Sequence, residues 1–165
     1  MPIAGVRQPD VIVVEDGLRL RRYDGVHDFA LSWYQDPEIV WLVDGVRIPY
    51  DADKLERMYR YLNTQGELYW IEVLESGSWR PVGDVTFWQE DMPIVIGDPT
   101  CRGKGIGRKV VKALASRGRQ LGYDKLYVDQ IYHYNTASRK CFASAGFVPY
   151  QDTEKGTSFV LELNA

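Results

Sequence analysis

The sequence predicts a mixed α/β (α+β) fold in which helices flank a central, largely antiparallel sheet. Three features lead to this prediction. Strand-like and helix-like segments follow one another in the order strands, two helices, strands, helix, strand, helix, strands. An Asp-Gly pair between β-rich runs indicates a hairpin near the start of the chain. A buried strand leads through a glycine-rich loop into a basic helix.

The size and composition indicate one globular domain over residues 1–165. Hydrophobic residues make up 45% and charged residues 26% of the chain, as in ordinary soluble proteins. The net charge of -3 gives no reason to expect a nucleic-acid partner. We see neither a signal-peptide pattern nor an apolar run near the ~18 residues that span a bilayer. We therefore expect a cytoplasmic protein without a membrane partner, in which Cys101 and Cys141 are reduced.

The N-terminal half is predicted as a hairpin, two helices and three strands. Asp16-Gly17 joins the first two strands, with positive φ expected at both turn positions. A first helix is expected from Asp24 or Asp28 to the residues before Pro37. A second helix is expected over 53–62, and the strands that follow over 68–74, 82–88 and 94–96.

The C-terminal half is predicted as two helices and three strands. The longer helix begins near Gly105, has one apolar stripe and ends at Gly122. A strand over 126–132 separates it from a short helix over 135–145. The last strands are expected over 147–150 and 158–163.

The loop before the basic helix is the most informative segment for function. Glycines at alternate positions let a backbone approach a ligand and direct several N–H groups towards it. The N-terminus of the helix adds a partial positive charge of about half an elementary charge. The loop glycines are Gly97, Gly103, Gly105 and Gly107, and the nearby cations are Arg102, Lys104 and Arg108. This combination predicts an anion site suited to a diphosphate.

Two familiar phosphate-binding motifs do not match this loop. A Walker A loop needs Ser or Thr after Gly-Lys, but Gly105 follows Gly103-Lys104. The spacing of the glycines also differs from the Rossmann fingerprint. The plain alternative is a glycine-rich turn followed by a solvated basic helix face.

The loop and a second segment resemble the GNAT superfamily of N-acetyltransferases. Arg102-Gly-Lys-Gly-Ile-Gly107 is similar to its acetyl-CoA loop, [RQ]-x-x-G-x-[GA]. Asn135-Thr-Ala-Ser138 with the later Gly146-Phe147 is similar to its N-x-x-[AS] … G-F segment. These two blocks cover roughly the C-terminal half of the chain. Ser138 and the segment 33–38 favour the subgroup that includes the ribosomal-protein N-acetyltransferases.

The resemblance implies transfer of an acetyl group from acetyl-CoA, as cosubstrate, to a primary amine. It implies that the sheet splits beside the strand before the glycine loop, where the backbone of that strand binds the pantetheine arm. Asn135 is implied to bond the pantetheine amide, although a helix N-cap is an equally good interpretation. The implied cofactor-binding residues are Ile94, Val95, Ile96, Arg102, Gly103, Lys104, Gly105, Ile106, Gly107, Arg108, Asn135 and Ser138.

The proton donor on the thiol side departs from the pattern of the family. Many relatives carry Tyr seven residues after the Asn, but this chain has Phe142, which has no proton to donate. The resemblance therefore implies Ser138 as the catalytic donor near the sulfur, with Tyr134 in reserve. A serine whose hydroxyl bonds its own helix backbone is the alternative for Ser138.

The general base is less sharply indicated. An alkylammonium of pKa near ~10 has no lone pair, so a base must take its proton. Asp91 lies where relatives place an acid, and Asp84 on the preceding strand is the other candidate. Histidine is a common general base, but His133 has a position typical of a loop. A nucleophilic cysteine is not indicated, because no base pairs with Cys101 and Cys141 lies among apolar residues.

The acceptor side is expected in the first half of the chain. Carboxylates and aromatic faces there would suit a cationic amine, although helix caps and core aromatics explain the same residues: Asp36, Glu38, Asp44, Asp51, Asp53, Trp33, Trp41, Tyr50 and Tyr59. The acceptor could be a small amine of the aminoglycoside type or a peptide N-terminus. No metal is expected, because the His and Cys residues are separated. A non-catalytic acyl-CoA-binding module and a homodimer both stay open.

Overall fold

The computed structural model describes residues 1–164 as two compact units. The first unit combines Met1–Thr86 with Ile94–Arg102, and the second combines Phe87–Pro93 with the chain from Gly103 onward. Both contain antiparallel strands and helices, which confirms the mixed fold class. The single domain over residues 1–165 stays a prediction.

The first unit is built on a sheet whose strands follow the chain order, so that β5 forms one edge. Its pairs β1–β2, β2–β3 and β4–β5 are antiparallel. The predicted strands are confirmed, with β4 starting earlier than expected. The strands are β1 (Val11–Glu15), β2 (Leu18–Arg22), β3 (Glu67–Glu75), β4 (Ser78–Phe87) and β5 (Ile94–Ile96).

The first hairpin forms at Asp16-Gly17, but its turn differs from the prediction. Gly17 has a φ of 78°, whereas Asp16 is not among the residues with positive φ. The register shifts between Val13 and Glu15. A bulge of this kind supplies an extra residue, so a single left-handed glycine is enough to close the turn.

The helix expected to end before Pro37 is wrong. That segment forms two short 3-10 turns, Asp28–Ala30 and Trp33–Gln35, and an α-helix, α1 (Pro37–Asp44), begins at the proline. The Asp36 side chain accepts a hydrogen bond from the Glu38 N–H, and the fixed φ of proline suits the first helical position. The second helix, α2 (Ala52–Gln65), confirms the prediction and is longer at both ends.

Aromatic side chains dominate the core of the first unit. Trp33, Tyr34, Tyr59 and Trp70 are buried together with aliphatic residues of α1 and α2. The Trp33 ring packs directly against Gly97, where an added Cβ would lie 2.2 Å from the ring atom Cγ. Glycine is therefore required at the exit from β5, because its lack of a side chain admits the indole.

The second unit has a sheet with β8 between β6 and β7, and both pairs are antiparallel. Buried Val110, Val111 and Leu114 form the inner face of the longer helix. The predicted elements are confirmed with shifted ends. They are α3 (Ile106–Gln120), β6 (Lys125–Tyr132), α4 (Thr136–Ser144), β7 (Val148–Asp152) and β8 (Gly156–Glu162).

None of the helices within residues 1–164 combines the length and the apolar character needed to cross a bilayer.

We predict that Gly97→Ala destabilises the fold because of the contact with Trp33. Forcing a methyl group into this contact should lower the free energy of unfolding by about 1–3 kcal/mol in chemical denaturation. In a Trp33→Ala background the same substitution should cost about 0.5 kcal/mol or less, because the ring is gone. Equal costs in both backgrounds would show that the indole does not constrain position 97.

Candidate active site

The glycine loop leaves the α3 N-terminus open. Gly103 and Gly105 have φ values of 74° and 79°, in the left-handed region that other residues rarely adopt. Gly105 is the N-cap of α3, and its lack of a side chain leaves the first turn without a side-chain hydrogen bond at the cap. The N–H groups of this turn therefore point away from the helix and can bind an anion.

Basic side chains surround this helix start. Lys104 and Arg108 are exposed, and the Arg108 guanidinium lies 3.6 Å from the position that a Cβ on Gly105 would occupy. The charged side chain thus lies beside the open backbone. The residues present fit a diphosphate, because uncapped N–H groups, a helix dipole and cations coincide at one loop.

Arg102, in contrast, is turned towards its own unit. Its guanidinium donates to the backbone oxygens of Ile96 at 3.1 Å and Gly97 at 3.2 Å, and lies 3.6 Å from an Asp36 carboxylate oxygen. The Arg102 side chain therefore binds backbone oxygens at the end of β5. The sequence predicts instead that this side chain contacts the phosphate of the cosubstrate. The three predicted strand residues, Ile94, Val95 and Ile96, are half-buried in β5, at the edge of their sheet.

Polar contacts of Asp98 hold the segment between β5 and the glycine loop in place. The Asp98 carboxylate accepts from the Thr100 N–H at 2.8 Å and forms an ion pair with Arg80. Hydrogen bonding from Arg80 lowers the pKa of Asp98 to about 2. The N–H groups of Gly97 and Asp98 both donate to the Val82 backbone oxygen, at 2.8 and 3.0 Å. Sequence reasoning missed Arg80, because no local pattern links it to Asp98.

The N-terminus of α4 carries Asn135 and Ser138, the predicted pantetheine contact and the predicted thiol-side donor. Asn135 is the N-cap, and its side-chain oxygen accepts from the Ser138 N–H at 3.2 Å. The Ser138 hydroxyl makes no hydrogen bond within residues 1–164 and is half-buried, whereas the Ser144 hydroxyl bonds the Cys141 backbone oxygen at 2.7 Å. Ser138 thus keeps its donor, unlike the backbone-bonded serine considered as an alternative.

The first turn of α3 lies against the second turn of α4 in the second unit. The Cys141 sulfur lies 3.3 Å from the position that a Cβ on Gly107 would occupy. Phe142 is buried against Phe147, with ring centroids 5.2 Å apart, and supplies no donor. Tyr134, 38% exposed, stacks on Tyr132 at a centroid distance of 5.2 Å.

Comparison with known families decides the affiliation. A model of the acetyltransferase (GNAT) domain matches residues 17–148, which is most of the chain. The chain belongs to the GNAT family. Members of this family are N-acetyltransferases, so this GNAT chain is an acyltransferase.

Solved structures with low sequence identity share the GNAT fold. The GNAT-family acetyltransferase from Bacillus anthracis is 12% identical, with coverage of 94% of this chain and 99% of that chain and a TM-score of 0.76. AAC(6')-Ib in complex with paromomycin and acetyl-CoA is 18% identical, with coverage of 89% and 94% and a TM-score of 0.70. RimL, a ribosomal L7/L12 α-N-protein acetyltransferase, in complex with coenzyme A, is 16% identical, with coverage of 92% and 97% and a TM-score of 0.72. A comparison with curated proteins gives no significant match.

Asp91, the predicted base of this GNAT domain, is held by backbone groups. Its Oδ1 accepts from the N–H groups of Met92 at 2.9 Å and Asp129 at 3.0 Å. Burial raises the pKa of the carboxyl, while these two hydrogen bonds oppose the rise. A raised pKa suits a group that takes up a proton, and the assignment of Asp91 stays a prediction.

Asp84, the other acid considered, is buried in the first unit. The hydroxyls of Tyr34 and Tyr59 donate to its Oδ2 at 2.7 and 2.9 Å. Burial raises the pKa of Asp84 to about 6, although both hydrogen bonds lower it. It pairs in register with Val95 of β5. The sequence could not reveal this network, because the two tyrosines lie far from Asp84 along the chain.

His133 and the two cysteines, the other residues considered for catalysis, lie in surroundings that favour a structural role. The exposed His133 has its Nε2 2.8 Å from the Thr153 backbone oxygen, as expected for a loop residue. Both cysteines are free, and burial raises the pKa of the Cys141 thiol to about 11. A thiol with a raised pKa is a poor nucleophile, in line with the sequence analysis.

The expected acceptor residues are largely engaged in local structure. Asp36 and Asp51 cap α1 and α2, and the Asp44 carboxylate accepts from the Tyr50 hydroxyl at 2.9 Å. Glu38 lies 3.6 Å from Arg47, whose guanidinium also lies over the Trp41 ring. These contacts favour the interpretation that the expected acceptor residues serve as helix caps and core residues. Residues 1–164 contain no group of three or more His, Cys, Asp or Glu arranged to hold a metal ion.

We predict that Asp84 makes folding stability fall as the pH rises. Between the ordinary pKa of 3.8 and the folded-state value of about 6, the folded chain binds the proton more tightly than the unfolded chain. The free energy of unfolding should therefore drop by about 2–3 kcal/mol between pH 4 and 7, relative to Asp84→Asn, which cannot titrate. Denaturant titrations of both proteins across this range measure the difference. Parallel pH curves would contradict the buried, titrating carboxyl.

Proposed function

We propose that this chain transfers an acetyl group from acetyl-CoA directly to a primary amine. The observation that carries the proposal is the open α3 N-terminus at Gly105, with Lys104 and Arg108 beside it. Family membership supports the reaction class, and two structural neighbours were solved with acetyl-CoA or coenzyme A. Acetyl-CoA supplies an activated acyl thioester, so the chain itself needs only to bind, orient and move protons.

The cosubstrate would be held by backbone groups in two segments. The N–H groups of Gly103–Gly107 would bind its diphosphate, and Lys104 and Arg108 would add charge. Backbone groups of β5, over Ile94–Ile96, would bind the pantetheine arm. Arg102 fits a different role, since its guanidinium bonds the carbonyls at the end of β5. Asn135 can combine its cap with an amide contact, because its side-chain NH₂ is separate from the capping oxygen.

Asp91 is the proposed base that takes the proton from the acceptor ammonium. Its backbone hydrogen bonds fix the carboxyl, and its raised pKa brings proton uptake closer to neutral pH. Asp84 is the alternative base. Its pKa of about 6 suits the task, but its side chain is buried and already accepts from two tyrosines.

Ser138 is the proposed donor to the leaving thiolate. Its hydroxyl is not used by the helix backbone, so it can donate to a sulfur. Phe142 cannot replace it, and Tyr134 is the reserve donor.

The acceptor class is proposed only as far as a primary amine. AAC(6')-Ib is an aminoglycoside acetyltransferase and RimL is an α-N-protein acetyltransferase, so small amines and peptide N-termini are both candidates. The carboxylates of the first unit do not favour one of them, because most cap helices or pair with neighbours.

A second candidate function is an acyl-CoA-binding module without turnover. The buried Phe142 favours it, because the position that often supplies the family's acid has no donor here. Thioester consumption separates the two functions.

We predict amine-dependent release of free thiol from acetyl-CoA. Polyamines, aminoglycosides, amino acids and peptides form the acceptor panel, and formation of the acetylated amine is followed by mass spectrometry. A protein that binds coenzyme A yet consumes no thioester with any acceptor would support the non-catalytic module instead.

We predict that Ser138→Ala lowers kcat by about 10²–10⁴-fold, the usual contribution of a general acid. Coenzyme A affinity should change much less, because the diphosphate contacts remain. Ser144→Ala is the matched control, since this serine lies in the same helix and its hydroxyl bonds the backbone. Retention of full kcat by Ser138→Ala would remove the serine from the mechanism.

A further inference from the structure

An open cavity of about 310 Å³ in the second unit lies outside the residues proposed for the reaction. Basic and aromatic side chains of α4 and β8 form its walls, together with a residue that follows β6. The lining residues are His133, Thr136, Arg139, Lys140, Ala143 and Phe159.

The residues that line the cavity include two cations, Arg139 and Lys140, and no acid. No acidic residue occurs in the sequence between Asp129 and Asp152. Neither Arg139 nor Lys140 forms an ion pair within residues 1–164, whereas several arginines of the first unit do, including Arg19, Arg21 and Arg80. Two cations therefore share one pocket, and the Asp152 carboxylate reaches Arg139 only through the Thr157 hydroxyl.

Arg139 is already ordered for binding. Its Nη1 donates to the Thr157 Oγ1 at 2.8 Å, and its guanidinium lies 5.5 Å from the centroid of the buried Phe159 ring. Thr157 in turn donates to Asp152 at 2.5 Å. A guanidinium carries several further N–H donors, and holding it in place reduces the entropy lost when a ligand binds.

Most of the lining residues lie on a different face of α4 from Ser138, the proposed donor. At about 100° per residue, Thr136, Lys140 and Ala143 fall on the side opposite Ser138, and Arg139 lies about a quarter turn from it. The buried side of the helix carries Phe142, while Lys140 and Ala143 are exposed.

We propose that this cavity binds a small dianion of the phosphate-monoester class, at a site separate from the glycine loop. Arg139 supplies a planar set of donors, Lys140 supplies a point charge and Thr136 supplies a hydroxyl. Cations of these two kinds form charge-assisted hydrogen bonds to phosphate oxygens. The volume exceeds that of one phosphate group and leaves room for the molecule that carries it.

Calorimetric titration with inorganic phosphate, in the presence of saturating coenzyme A, tests the site. Coenzyme A blocks the glycine loop if the proposed function holds, and binding is measured without any turnover. We expect saturable binding to the wild-type chain, and about ten-fold weaker binding to Lys140→Gln, the loss of one charge-assisted contact. Lys112→Gln, which changes an exposed lysine of α3, is the matched control and should leave phosphate affinity unchanged.

Four outcomes overturn the proposal. They are no phosphate binding by the wild-type chain, an equal loss in Lys112→Gln, and equal affinity for acetate. The fourth is that Lys140→Gln weakens coenzyme A but not dephospho-coenzyme A, which would assign the cavity to the 3′-phosphate of the cosubstrate. In contrast, shifts of the Thr136 and Phe159 amide signals in a phosphate NMR titration would support the site. Failure of coenzyme A itself to bind would count against the proposed function and leave the phosphate titration interpretable.

Discussion

The first turn of α3 exposes backbone N–H groups that have no side-chain acceptor at the cap, and this constraint organises the candidate site. A serine or aspartate at position 105 would satisfy one of these groups and block ligand approach, and the left-handed φ of Gly105 disfavours both residues. The open helix end therefore needs water or an anion. Lys104 and Arg108 make an anion the better partner, which links the local backbone geometry to the phosphorylated cosubstrate of the GNAT family.

The first unit contributes rigidity through buried polar groups rather than through open carboxylates. Arg80 and Asp98 fix the segment after β5, and Trp33 packs against Gly97. Asp84 accepts hydrogen bonds from two tyrosines inside an aromatic core. These bonds offset part of the free-energy cost of burying the carboxylate, and the pKa of Asp84 is still raised. Side chains that resemble an acceptor pocket in the sequence thus mostly hold helices and strands in place.

Local chemistry explains which features the sequence could predict. Patterns that extend over only a few residues predict the glycine loop, the Asn135 cap and the strands. The predicted ends of these elements therefore lie within a few residues of the observed ends. The helix predicted to start at Asp24 or Asp28 and to end before Pro37 was wrong, because these aspartates resemble N-caps as Asp36 does, and only packing decides among them. The Tyr34–Asp84–Tyr59 network joins residues that are distant in sequence. The Arg102 side chain reaches back across a turn to the Ile96 carbonyl. No periodicity encodes such contacts.

Calorimetry of coenzyme A binding tests most directly whether the α3 N-terminus holds the cosubstrate. Gly105→Glu places a carboxylate at the open helix start, and Gly122→Glu places the same group after the other end of α3, at a glycine with a similar φ of 81°. Both variants carry the same charge and a similar backbone strain, so only position distinguishes them. The account predicts that Gly105→Glu loses coenzyme A binding by at least about 100-fold, from repulsion and blocked N–H groups, while Gly122→Glu keeps it. Equal affinities for the two variants would contradict it.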